Sequence, residues 1–138
     1  MGVGSGESTQ TRASDGSLVP QVLLIDDNLT QLRIREAVLR EAGFSVSRTS
    51  TAEQTLALLR FFFFASGPDV IVTDHILPGA SGSGFVRQLR EISPRVPALV
   101  ISSMAEAEGE YDGLHVIFLR KPCPPENLIH EVQVALGC

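Results

Sequence analysis

A chain of 138 residues, 43% hydrophobic and 20% charged, has room for one globular domain and too little for two. Its formal net charge of -5, with no basic cluster to offset it, argues against nucleic acid as a direct partner, and no apolar run reaches the length of a membrane span. The N-terminus lacks a charged-then-apolar signal pattern, and Cys123 and Cys138 fit neither a metal spacing nor a disulfide framework, so a cytoplasmic protein with two inert thiols is expected.

In chain order, residues 1–19 read as a Gly/Ser/Thr-rich leader without periodic apolar positions, and the folded domain is expected over 20–138. Val22–Ile25 is a short continuous apolar run, the pattern of a buried parallel strand, and it ends in two adjacent carboxylates, Asp26 and Asp27. Ile34, Ala37, Val38 and Ala42 then recur at helical spacing, with Gly43 placed to terminate the helix. Phe44–Arg48 predicts a second strand. Ser50 to Glu53, "STAE", has the form of a capping box and opens a helix whose Ala52, Leu56, Leu59 and Phe63 share a face.

Val70–Thr73 predicts a third strand, ending at Asp74. A helix over Gly84–Ile92 follows, and Pro94 and Pro97 mark the turn after it. Ala98–Ile101 is a fourth strand running into Ser102, and Val116–Leu119 a fifth running into Lys121 and Pro122. The last helix starts near Pro125, proline being well placed at a first helical position, and buries Leu128, Val132 and Ala135 or Leu136. Strict alternation of strand and helix predicts an α/β fold, a parallel sheet covered by helices on both faces.

Ligands of such sheets sit beyond the carboxyl ends of the strands. Asp26, Asp27, Asp74, Ser102 and Lys121 all directly follow a buried strand, so they fall on one rim. Two neighbouring carboxylates repel unless a cation is close, and hard oxygen ligands of this kind favour Mg²⁺ (or Mn²⁺), which keeps waters for an incoming phosphate. A carboxylate beside that metal and an ammonium can attack phosphorus, with the metal, lysine and hydroxyl holding the equatorial oxygens.

The stretches "LLIDDN", "VIVTDHILPGASG", "ALVISS" and "VIFLRKP", in that order, resemble the receiver domain of two-component response regulators, of the chemotaxis-regulator kind, over 20–136. The resemblance implies a flavodoxin-like, doubly wound sheet of five parallel strands in the order 2-1-3-4-5. It implies Asp74 as phosphoacceptor, with Asp26, Asp27, Asp74 and the main-chain carbonyl of Ile76 holding Mg²⁺. Ser102 would take a phosphoryl oxygen, Lys121 would pair with the phosphoryl group, and Phe118 would rotate inward on activation. Pro78 and Gly82 match the loop after the acceptor, and the Lys121-Pro122 bond matches one that is often cis. The implied partners are a sensor histidine kinase or a histidine phosphotransfer protein, and a downstream protein target or an output domain elsewhere in a longer chain.

Two stretches depart from that pattern. "RFFFFASGPD" carries extra residues and reads either as a helix end folded back on the core or as an exposed aromatic patch for a partner or for self-association. "SSMAEAEGEYDGLH" is short and lacks an apolar stripe, so the fourth helix is expected to be short or irregular. Ile76 and Met104, each two residues past a site side chain, are expected to screen an acyl phosphate from water. His75 is expected to point away along its loop, with His115 and His130 on the surface. An aspartate-nucleophile phosphatase is the competing enzyme reading, but it wants a second aspartate where Ile76 stands. A receiver fold used for protein contact without phosphorylation is the other alternative.

Overall fold

The computed structural model describes residues 19–61 and 67–137. Strand β1 (Gln21–Ile25) leads into helix α1 (Leu29–Glu41), β2 (Ser45–Thr49) and α2 (Ala52–Phe61). Next come β3 (Val70–Asp74), the two-residue strands β4 (Ile76–Leu77) and β5 (Ala80–Ser81), and α3 (Gly82–Ile92). The chain closes with β6 (Ala98–Ser102), a 3-10 helix over Ala105–Tyr111, β7 (Val116–Arg120) and α4 (Pro125–Ala135). Five strands form one parallel sheet in the order β2-β1-β3-β6-β7, the doubly wound arrangement expected from the sequence.

The alternation of each strand divides the core in two. Val22 and Leu24 of β1, Val70 and Val72 of β3, and Leu99 and Ile101 of β6 face α1 and α4, meeting Leu32, Leu39, Leu128 and Val132. Leu23, Ile25, Ile71, Ala98 and Val100 face α2 and α3, meeting Ala52, Leu56, Phe85, Val86 and Leu89. A sheet buried on both sides explains why β1, β3 and β6 are near-continuous apolar runs. Each fully buried Leu, Ile or Phe contributes about 1.5–3 kcal/mol relative to exposure, so the two layers together dominate stability.

Several local expectations shift by a residue or more. On α1 the buried stripe is Leu32, Arg35 and Leu39, while Ile34 is 53% exposed, so the predicted face of Ile34, Ala37, Val38 and Ala42 is turned away from the core's centre. The helix ends as expected at Gly43, whose φ of 101° and whose amide bond to the carbonyl of Arg40, with Phe44 bonding back to Leu39, make a Schellman turn. At α2 the cap is Thr51 rather than Ser50: the Thr51 hydroxyl accepts from the Gln54 amide at 3.0 Å, and Gln54 reaches back to the Ser50 amide at 3.2 Å. Phe61 is exposed; Phe62, Phe63 and Phe64 lie outside the described residues, as do residues 1–18 of the leader expected over 1–19, and Cys138.

Helix α3 begins at Gly82, two residues before the expected start, because the Ser81 hydroxyl accepts from the Gly84 amide and caps it there. The stretch between β6 and β7 makes only the 3-10 helix, in line with its missing apolar stripe. Leu128 and Val132 are the buried residues of α4, with Ala135 and Leu136 packed beside them, as the sequence pattern requires. No helix among the described residues is long and apolar enough to cross a membrane.

Candidate functional site

The rim at the carboxyl ends of β1, β3, β6 and β7 carries the polar cluster. Asp26 follows Leu24 by two positions, Asp74 follows Val72, and Lys121 follows Leu119, so the strand alternation sends all three toward the α1 and α4 side. Asp26 is 1% exposed and Asp74 7%. One oxygen of Asp26 accepts from the Asn28 amide at 2.9 Å, and Asn28 in turn caps α1 by accepting from the Gln31 amide at 3.0 Å. Lys121 Nζ lies 3.3 Å from Asp74 Oδ1.

Sequence reasoning missed a fourth member of this cluster. Arg35 of α1 is buried, and its Nη1 donates to Asp26 Oδ2 at 3.0 Å and to Asp74 Oδ1 at 3.4 Å. The signal was present: Leu32, Arg35 and Leu39 share one helical face, and a charge on a core stripe has to meet an opposite charge. Asp26 is nevertheless harder to ionise than an ordinary aspartate. Burial first, then a hydrogen bond that its protonated form donates to Asp74, push its pKa up to about 6, while the Asn28 amide and Arg35 pull it the other way.

Asp27 does not join them. It sits at a bend, exposed, and among the described residues no three carboxylate, histidine or cysteine side chains converge at a metal-binding spacing. The donor chemistry of Asp26 and Asp74, two carboxylates close enough to share a hydrogen bond, still suits a hard dication. The point between them is taken by the Arg35 guanidinium.

On the other side of Asp74 a cleft opens, lined by Asp74, His75, Ile76, Ile101, Ser102, Ser103 and Lys121. Ser102 is buried at the end of β6, and its hydroxyl accepts from the Met104 amide at 2.9 Å. The Lys121 amide donates to the Ser102 carbonyl at 2.9 Å, which ties the end of β7 to that of β6. The Lys121-Pro122 bond is cis, as in the pattern noted above. Ile76 exposes its side chain (65%) at the mouth of the cleft.

The loop after Asp74 is a small hairpin. Ile76 pairs with Ser81 and Leu77 with Ala80, and the connection is Pro78-Gly79, with Gly79 at φ 70°. Proline followed by a positive-φ glycine is the chemistry of a tight turn. Gly82 closes the loop by donating its amide to the His75 carbonyl at 2.5 Å. Contrary to expectation, His75 does not point away along its loop: it is 6% exposed, and its Nδ1 lies 2.6 Å from the Tyr111 hydroxyl. Facing the α2 and α3 side by strand alternation, Phe118 packs its ring 5.7 Å from that of Tyr111. His115 and His130 are exposed, as expected.

Comparison with known proteins agrees with this geometry. Residues 22–133 match the family model of the response regulator receiver domain. The chain is 29% identical over 119 residues to a probable transcriptional regulatory protein, y4xI, of Sinorhizobium fredii, an alignment covering 84% of this chain and 50% of that protein. Among solved structures it resembles a response regulator receiver protein of Sinorhizobium medicae (30% identity, TM-score 0.75, covering 87% of this chain and 96% of that one). It also resembles the chemotaxis response regulator CheY4 of Vibrio cholerae (25% identity, TM-score 0.76, covering 86% and 99%). The chain spans about half the length of the first curated relatives it matches.

Proposed function

Since the chain belongs to the response regulator receiver domain family, a family of two-component signalling modules, we propose that it accepts a phosphoryl group on Asp74 from a histidine kinase or histidine phosphotransfer protein, with Mg²⁺ or Mn²⁺ assisting. The observation that carries this reading is the Asp74 carboxylate at the end of the central strand, 3.3 Å from Lys121 Nζ and sharing a cleft with Ser102. Asp74 supplies the nucleophilic oxygen. Lys121 offsets charge on the incoming phosphoryl group, and Ser102 stands to take one of its oxygens. Asp26 and Asp74 would hold the metal, which when bound neutralises developing charge on the phosphoryl oxygens, and the resemblance adds the Ile76 carbonyl and Asp27, exposed at the bend beside Asp26, as further donors.

The downstream target is a protein surface or an output domain, in keeping with the transcriptional regulators among its relatives. A second reading, a receiver fold that works by contact without phosphorylation, draws on the 3-10 helix that replaces a full fourth helix. Incubation with Mg²⁺ and acetyl phosphate, followed by intact mass, separates the two. We expect a gain of one phosphoryl group that is lost in Asp74→Ala and slowed by about a hundredfold in Lys121→Ala. No gain in the wild type favours the contact reading.

A further inference from the structure

This inference rests on the reading of Asp74 as a metal-assisted acceptor and concerns Arg35. Helix α1 presents Leu32, Arg35 and Leu39 to the core, so an arginine stands where the pattern calls for a third apolar side chain. A guanidinium does not shed its proton, and a buried one without partners is strongly destabilising. Its compensation comes from the rim: the single nitrogen Nη1 contacts Asp26 Oδ2 at 3.0 Å and Asp74 Oδ1 at 3.4 Å. Arg35 and Lys121 together set two positive charges against the two carboxylates, and the cluster balances without any further ion.

A divalent cation using the same two oxygens would meet Arg35 at a distance where like charges repel about as strongly as unlike ones attract. Both cannot hold Asp26 and Asp74 together in a buried site. We propose that Arg35 is a resident counter-cation that competes with divalent metal for Asp26 and Asp74, so that metal enters as the guanidinium withdraws. This makes Arg35 a positioning residue: it sets how much metal the acceptor needs without itself touching the cleft that Ser102 and Lys121 line.

The test is a Mn²⁺ titration of the whole chain, reading free Mn²⁺ by electron paramagnetic resonance. Arg35→Met, which keeps an unbranched apolar stem on the core stripe and removes the charge, should bind Mn²⁺ at least about tenfold more tightly than the wild type. Arg35→Lys, a point charge without the fork, should fall between them. Equal or weaker binding by an Arg35→Met protein shown to be folded by circular dichroism overturns the proposal. A measurement on the wild type covers the case in which that variant does not fold. The Arg35 side-chain NH resonance, identified by its loss in Arg35→Lys, should shift as Mg²⁺ saturates the Asp74 amide signal, and a resonance that stays put overturns the proposal. If wild type and variant bind Mn²⁺ equally while Asp74 still takes a phosphoryl group, this proposal alone fails. If neither folded protein binds Mn²⁺, the metal-assisted acceptor reading fails as well.

Discussion

Nδ1 of His75 and the hydroxyl of Tyr111 meet at 2.6 Å inside the protein, one residue along from the proposed acceptor. Both are buried, their rings stand edge to face at 5.7 Å, and Tyr111 also packs against Phe118. The pair therefore links the loop after Asp74 to the 3-10 helix and, through it, to β7. Removing the hydroxyl in Tyr111→Phe keeps the ring contacts and leaves the His75 nitrogen buried without its partner. We expect a loss of about 1–3 kcal/mol in unfolding free energy, measured by urea denaturation.

Tyr111 is the only tyrosine of the chain, which makes its titration directly readable. Burial, and then the charge of Glu110, raise its pKa above the ordinary 10.0. A raised native pKa means that the unfolded chain ionises first. The stabilising contribution is complete below about pH 10 and declines as pH rises from there through the native pKa. Absorbance at 295 nm should show no phenolate in the native protein at pH 10 and its appearance on unfolding. A native titration centred at 10 contradicts the buried placement.

Gly82 and Gly79 should respond differently to alanine. A Cβ on Gly82 would run into the Tyr111 hydroxyl and stand 2.9 Å from the His75 Cα and 3.0 Å from the Asp74 carbonyl oxygen. Two of those neighbours are backbone, so Gly82→Ala must displace the acceptor loop, at a cost of about 1–3 kcal/mol or more. Gly79 has open space around it, and only its φ of 70° resists a side chain, for about 1–2 kcal/mol. Thermal denaturation gives both losses. The discriminating measurement is the rate of phosphoryl uptake, which should fall in Gly82→Ala and hold in Gly79→Ala.

Ile76 is 65% exposed and Met104 37%, and Ile76 lines the cleft beside Asp74. At the mouth of the cleft an apolar side chain can keep water from an acyl phosphate on Asp74. Ile76→Asn and Met104→Asn should each shorten the lifetime of phosphorylated Asp74 severalfold, followed by intact mass after removal of the phosphodonor. Unchanged lifetimes in both variants refute the screening role.

Much of the candidate site was legible in the chain because every member but Arg35 comes at the end of a strand. Runs such as Val22–Ile25 and Ala98–Ile101 are apolar without interruption, since both faces of the sheet are covered, and the first polar residue after each run is bound to sit on the rim. Asp26, Asp74 and Ser102 were found by that rule, Lys121 by lying one residue further on, past Arg120, and the sheet order came with the resemblance they carry. Helix faces were less legible. On α1, a periodicity that counts only apolar residues selects Ile34 and Ala37, because the true stripe has an arginine at its centre.

What the sequence determined by itself is the set of elements and the edge on which chemistry collects, since hydrophobic runs and the residues that end them are local properties. What only the tertiary structure decided is which side chains meet there. Arg35 is 9 residues from Asp26 and 39 from Asp74, and His75 is 36 from Tyr111. Contacts over such separations depend on how α1 and the 3-10 helix lie on the sheet. The same packing exposes Asp27 and buries its neighbour Asp26, a division between two identical side chains that composition and spacing cannot express.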